Sequence, residues 1–312
     1  MTGGMIMNRR EFIEYCSTLS KEDLHRIAAE SRGRIERILP QETKDMFHTL
    51  DDVTTVEELY LETAFGSTHL YLIKEKDTTG DGLATVINVH GGGWTLDHGE
   101  RDIFFCRRLA VKLHALVVDV DYVLAPEHPY PAAIEEIEAL FSVLPEKITA
   151  WGGDANNVVL CGQSAGGNLL GAVMQRNRYD QSFKPKAQVL CYLPTDNYND
   201  HFHGGELDGR GEATEYYGFF YNQSFEERKN SDVSILFASE EEMKNLPPTD
   251  IITCRMDNLM EEGEAYAAKL ASAGVTTSLK RFENSRHGFL VNLMDEWQDG
   301  EDYVVSLIRK YI

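Results

Sequence analysis

Apolar and polar residues alternate along "VEELYLETAF", which begins at Val56, and along "HLYLIKEK", which begins at His69. A period of two puts one face of a segment on a core and the other in water, so the two read as a hairpin pair near a sheet edge. Downstream the pattern becomes a series of continuous apolar runs: "ATVINVH" from Ala84, "ALVVDVDY" from Ala115, "NVVLCG" from Asn157, "AQVLCYL" from Ala187 and "DIITC" from Asp250. Runs of this kind fit strands buried on both faces of a mostly parallel sheet. Between them lie amphipathic segments with helical spacing: "RDIFFCRRLAVKL" from Arg101, "AAIEEIEALFSVL" from Ala132, "SAGGNLLGAVMQ" from Ser164 and "EEGEAYAAKLASAG" from Glu261. Strands alternating with helices predict an α/β fold, a central sheet flanked by helices on both faces.

Two regions stand outside that rhythm. Residues 1–50 hold only helical segments, "EFIEYCSTLS" and "KEDLHRIAAESRGRIERIL". Within residues 51–312, the stretch "HFHGGELDGRGEATEYYGFFYNQSFEERKN", about 201–230, is rich in aromatics and glycine and has no strand pattern. A long insertion of this sort covers a site in some proteins and is decoration in others.

At 312 residues the chain can bury a large core without disulfides or metals, since a chain of that length buries roughly 75% of its unfolded surface. The formal charge of -21 argues against nucleic acid or an anionic membrane surface as partner. Cys16, Cys106, Cys161, Cys191 and Cys254 are odd in number and have no CxxC spacing, and the last three fall in strand-like runs. They read as buried thiols of a reducing compartment. The opening "MTGGMIMNRREFIEYC" has no apolar stretch of signal-peptide length, and no segment nears the roughly 20 apolar residues of a membrane span. The expectation is a soluble cytoplasmic protein.

Candidate chemistry centres on "CGQSAGGNLLGAVMQ", where Ser164 sits between Gly162 and Gly166 at the change from strand to helix. A strained elbow at that place lifts a serine hydroxyl above the sheet, and the glycines leave room for it. Gly-x-Ser-x-Gly alone also occurs by chance. A nucleophilic serine needs oxyanion donors, a base, and an acid to orient the base. "NVHGGGW" offers a glycine run, Gly91, Gly92 and Gly93, whose N–H groups can approach a ligand, followed by Trp94; Ala165 adds the N–H at the start of the next helix. Asp257 follows the run "DIITCRM" and fits a helix cap as well as a catalytic acid. His287 stands past an edge-like strand beside Gly288 and Phe289. Serine, acid and histidine follow in the order that α/β-hydrolases use.

These residues resemble the hormone-sensitive-lipase-like branch of the α/β-hydrolase superfamily, the bacterial family IV esterases. The resemblance runs from about residue 60 to the C-terminus and rests on "HGGGW", "DYVLAPEHPYPAA", "GQSAGGN", "DNLMEEGEAYAAKL" and "HGF" in the family's order. It implies an α/β-hydrolase fold with a helical cap formed by the N-terminal helices and the insertion. It implies Ser164 as nucleophile, His287 as general base and acid, Asp257 as orienting acid, and an oxyanion hole from Gly91, Gly92, Gly93 and Ala165, with no metal or organic cofactor. His201 and His203 lack the accompanying ligands of a zinc site. Two positions depart from the family pattern: Gln163 stands where Asp or Thr is usual, and Val123 where Arg is usual.

The expected reaction is hydrolysis of short-chain acyl esters, from acetyl to hexanoyl, with Trp94, Tyr216, Tyr217 and Phe220 on the substrate. Rings in the stretch 216–221 equally suit packing of a cap onto the core. Acetylated carbohydrates, amides and lactones are alternative substrates for the same triad. Plant gibberellin receptors resemble this branch but lack the histidine, which makes ligand binding without catalysis a further alternative. The family also includes many homodimers.

Overall fold

The computed structural model describes residues 8–34, 41–78, 82–176, 183–199 and 211–312. The first helices are α1 (Arg9–Cys16), α2 (Lys21–Arg34), α3 (Gln41–Phe47) and α4 (Thr49–Val53). Strands β1 (Thr54–Glu62) and β2 (Ser67–Glu75) then form the antiparallel hairpin that the period-two pattern predicts. The chain continues through β3 (Leu83–Val89), α5 (Glu100–Leu113), β4 (Leu116–Asp121), α6 (Ala132–Ala150), β5 (Gly153–Gln163), α7 (Ala165–Arg176) and β6 (Ala187–Cys191). It ends with α8 (Gly211–Tyr221), α9 (Glu240–Met243), β7 (Thr249–Met256), α10 (Met260–Ser272), β8 (Thr277–Arg286), α11 (Phe289–Asn292) and α12 (Trp297–Arg309).

The described residues form an eight-stranded sheet in the order β1-β2-β4-β3-β5-β6-β7-β8. β2 pairs antiparallel with β4, and every pairing from β4 through β8 is parallel. Parallel neighbours require crossover connections: α5, α6, α7 and α10 provide four of them, and the connection from β6 to β7 runs through α8 and α9. Leu140 and Phe141 of α6, Leu169 and Leu170 of α7 and Tyr266 and Leu270 of α10 bury one face of the sheet. Phe105 and Leu109 of α5, with Val304 and Ile308 of α12, bury the other. Strands covered on both sides must be apolar throughout, which is why their sequences are continuous runs rather than alternations.

Helix α6 outlasts its sequence pattern. The apolar spacing predicts an end near Leu144, just before Pro145, yet the helix runs to Ala150 with the proline inside it. Ile148 beyond the proline is fully buried, so the last turn gains packing that offsets one missing backbone hydrogen bond.

Residues 211–221 of the expected insertion form α8, while residues 201–210, including His201 and His203, lie outside the described residues. α8 packs on the N-terminal helices: Phe12, Ile13 and Cys16 of α1, Leu24 and Ala28 of α2 and Phe219 and Phe220 of α8 share one apolar cluster with Ala125. Two arginines fasten this layer to the body. Arg9 pairs with Glu215 at 2.8 Å and donates to the Asp196 and Asn199 carbonyls. Arg32 donates to the Thr95 and Ala125 carbonyls and pairs with Glu127.

All five cysteines are buried free thiols. Among the described residues no helix is long and apolar enough to cross a membrane.

Candidate active site

Ser164 occupies the elbow between β5 and α7 with φ +51, a left-handed conformation that is strained for a residue with a side chain. The glycines make the bend possible. A Cβ on Gly166 would lie 2.0 Å from the Val89 carbonyl oxygen, and one on Gly162 would lie 2.8 Å from the Gly166 carbonyl oxygen. Only hydrogen fits at either place, so β5 and α7 can close tightly enough to raise the serine.

Two further strand ends complete the constellation. His287 follows β8, and its Nε2 lies 2.9 Å from Ser164 Oγ. Its Nδ1 lies 2.7 Å from Oδ2 of Asp257, which follows β7 and is 2% exposed. Asp257 Oδ1 also accepts the Leu259 N–H at 3.1 Å, so this carboxylate turns the first residues toward α10 as well as holding the imidazole. A histidine held at Nδ1 by a carboxylate presents Nε2 as a base to a hydroxyl.

The glycine run follows β3 and lies directly against the elbow. A Cβ on Gly91 would come within 2.8 Å of the Gln163 carbonyl oxygen and 3.1 Å of Ser164 Cβ. Gly92 and Gly93 have φ +129 and +58, and a Cβ on Gly93 would lie 2.6 Å from the Tyr217 ring. Ala165 is the first residue of α7, so its N–H has no partner inside the helix and adds to the positive end of the helix dipole.

A cavity of about 510 Å³ opens over Ser164 and His287, with Gly91, Gly92 and Gly93 in its wall. Of the aromatics that the sequence points to, Trp94 and Tyr217 line it. Tyr216 and Phe220 do not: Tyr216 packs edge-on against Phe12 at 4.9 Å, and Phe220 is fully buried in the α1–α8 cluster. On a helix, 216 and 220 share a face, and that face meets α1.

The sequence reading missed several residues of the cavity wall. Tyr192, at φ +40 and 5.1 Å from the His287 ring, follows β6, and a site at the carboxyl ends of parallel strands is the signal that would have found it. Arg9, Glu215, Arg228 and Glu262 form a polar end brought together only by tertiary packing. Arg228 is 1% exposed and donates to the Asn222 and Asn197 carbonyls; burial and the nearby Arg9 bring its pKa down to about 9. Among the described residues no three His, Cys, Asp or Glu side chains form a metal-sized group.

The two departures have visible consequences. Gln163 is buried and donates through Nε2 to Asn88 Oδ1 at 2.9 Å. Val123 offers only its backbone N–H, at 2.7 Å, to Glu136. Burial pushes the Glu136 carboxyl up to about 7, and no cation lies within ion-pair distance of it among the described residues.

Fold and site define an α/β-hydrolase. A family profile described as alpha/beta hydrolase fold matches residues 86–291, and the chain belongs to the hormone-sensitive-lipase-like branch of that family. It is similar to carboxylesterase NlhH of Mycobacterium tuberculosis, 31% identical over 218 residues that span 67% of each chain. It is likewise similar to an arylesterase of Saccharolobus solfataricus, 32% identical over 68% of this chain and 69% of that one. Among solved structures, a hyperthermophilic esterase from the archaeon Pyrobaculum calidifontis superposes with a TM-score of 0.78 at 25% identity, covering 96% of this chain and 97% of that one.

Proposed function

We propose that this protein is a serine carboxylesterase that hydrolyses short-chain acyl esters through an acyl-enzyme on Ser164. Its relatives make carboxylic ester hydrolysis the activity class. One observation carries the mechanism: a hydrogen-bonded series from Asp257 through His287 to Ser164, at 2.7 and 2.9 Å, opening into a cavity walled by the glycine run.

In this mechanism His287 Nε2 takes the Ser164 proton as Oγ attacks the acyl carbon. Asp257, accepting from Nδ1–H, fixes the tautomer and stabilises the imidazolium. The oxyanion meets N–H groups of the glycine run and of Ala165, which are fixed before the charge develops and so need no reorganisation. His287 then gives the proton to the leaving alcohol. Water repeats the sequence on the acyl-enzyme, releasing the acid and restoring Ser164.

Two features support a preference for short acyl chains. The cavity is of modest volume, and the Tyr217 ring packs against Gly93 in its wall and narrows it there. We also read residues 1–50 with the segment at about 201–230 as a cap on a catalytic body of residues 51–312, supported by the shared cluster of α1, α2 and α8. The five buried thiols favour a reducing, cytoplasmic location, which cell fractionation tests.

The deciding experiment is hydrolysis of p-nitrophenyl acetate, butyrate, octanoate and palmitate over a pH series, with Ser164→Ala alongside. The expected profile falls steeply beyond hexanoyl-sized acyl groups. Faster turnover of palmitate than of butyrate refutes the chain-length reading. Failure of a fluorophosphonate to label Ser164 refutes the nucleophile and favours a binding protein.

A further inference from the structure

Behind the reacting groups lies a second series of buried hydrogen bonds that the mechanism above does not use. Gln163, immediately before Ser164, donates to Asn88 Oδ1 at 2.9 Å. Asn88 Nδ2 donates to Asp119 Oδ1 at 2.7 Å, and Asp119 Oδ2 lies 2.8 Å from His98 Nε2. Asn88 and Asp119 are fully buried, Gln163 is 1% exposed and the His98 side chain 4%.

The series crosses the sheet. Asn88 on β3 and Asp119 on β4 are direct register partners, with Cys161 on β5 as the neighbour of Asn88 on the other side. On this face the series lies against an apolar cluster that includes Val86, Val117 and Val159 with Phe105 and Leu109. A carboxylate inserted there is costly unless it is paired and fully hydrogen-bonded. Its two ends have meaning for the site: one is the residue that leads into Ser164, the other the far end of the loop that starts with the glycine run. Gly91 shows how closely those two segments must fit, since even a Cβ would strike the Gln163 carbonyl.

We propose that Gln163, Asn88, Asp119 and His98 form a positioning series that holds the Ser164 elbow in register with the glycine loop, anchored by a charged His98–Asp119 pair. The inference rests on the nucleophile and oxyanion roles proposed above. It assigns none of the four a contact with substrate; they act through the elbow and the loop.

The surroundings of His98 favour its cationic form. Burial, the largest single influence, works against the charge, but the charge and hydrogen bond of Asp119 together with Asp102 of α5 and Asp121 of β4 outweigh it, and the pKa is pushed up to about 9. The other titratable neighbours are His90, whose ring is 5.2 Å away, Tyr71 of β2, stacked at 4.7 Å, and the Cys106 thiol, which burial and then Asp119 hold well above its ordinary value. Below pH 9 the pair is neutral overall. Above it, Asp119 becomes an uncompensated negative charge behind a loop that must stabilise an oxyanion, and the positioning loses its anchor.

The test is the pH dependence of kcat and KM for p-nitrophenyl butyrate between pH 6 and 10.5, with melting temperatures alongside, in the wild type, His98→Gln, Asp119→Asn, the double variant and Ser164→Ala. The wild type should lose kcat about tenfold on an alkaline limb near pH 9 with KM nearly constant, less than a lost oxyanion donor would cost. Asp119→Asn should lack that limb. His98→Gln should be about tenfold slower already at pH 7.5, with no limb, and the double variant should recover most of the loss because neither charge is left alone. A limb near pH 9 that survives in Asp119→Asn overturns the inference, as do losses that track melting temperature alone. If the variants fail to fold, the ¹⁵N resonances of the His98 ring in the intact protein decide: both nitrogens should stay protonated to about pH 9, and titration near the ordinary histidine value overturns the charged pair. An active Ser164→Ala refutes the nucleophile and this inference with it. An inactive one with an unchanged limb in Asp119→Asn refutes only the inference.

Discussion

The floor of the cavity and its roof are held in place by different means. The floor consists of residues at the carboxyl ends of β3, β5, β6, β7 and β8, neighbouring strands joined by parallel ladders, with β3, β5 and β6 largely buried on both faces. The roof includes Arg9 of α1 and Glu215 and Tyr217 of α8, helices that share a small apolar cluster with α2 and are tied to the body through Arg9 and Arg32. A strand end cannot shift without disturbing its neighbours, whereas α1 and α2, outside the main core and joined to α8 through a small cluster, can tilt at lower cost. Chemistry that tolerates displacements well under an ångström belongs on the floor, and access to it belongs on the roof. Changes to the floor should therefore appear in kcat, and changes to the roof in KM.

The sharpest test of the floor is Ser164→Ala, which should lower kcat by at least about 10⁴-fold while leaving the circular dichroism spectrum unchanged. Residual activity within tenfold of wild type contradicts the proposed nucleophile. Next in size is Gly91→Ala. Its methyl group would press on the Gln163 carbonyl and on Ser164 Cβ, so kcat should fall by about 10²–10³, comparable to loss of an oxyanion donor, with KM changed far less.

For the roof, Arg9→Met removes the partner of Glu215 and the tie to the Asp196 and Asn199 carbonyls. The expected outcome in steady-state kinetics is a rise in KM of about fivefold at nearly constant kcat. A loss confined to kcat breaks the distinction between floor and roof.

The smallest effect concerns neither surface. Glu136 has its carboxyl raised to about 7 by burial, so the folded protein holds a proton that the unfolded chain releases at lower pH. Its penalty is absent below the unfolded value, grows as pH rises through the interval up to about 7, and is full above it. Glu136→Gln should raise the melting temperature at pH 8, by an amount equivalent to about 3 kcal/mol at most, and change little at pH 5. Equal shifts at both pH values would contradict the buried proton.

Much of the floor was legible in the chain. Continuous apolar runs located its strands, and Ser164, Asp257 and His287 stood just past them, where the structure joins them at 2.7 and 2.9 Å. The roof was less so. Tyr216 and Phe220 share with Tyr217 the character of a substrate-lining aromatic, but helical phase turns the first two onto α1 and leaves only Tyr217 on the cavity. The terminal helix α12 went unread because Gly300 interrupts a polar start; a Cβ there would lie 2.4 Å from the Phe289 ring, a packing reason invisible in one dimension.

By itself, then, the sequence determined the alternation of central strands and helices, the elbow glycines and the side chains proposed to react, because periodicity and backbone sterics act over a few residues. Tertiary structure alone decided which aromatics face the cavity, which charges gather at its polar end, and that Gln163, Asn88, Asp119 and His98 meet. Those contacts join segments far apart in the chain, and their geometry is set by sheet register and helix packing rather than by local preference.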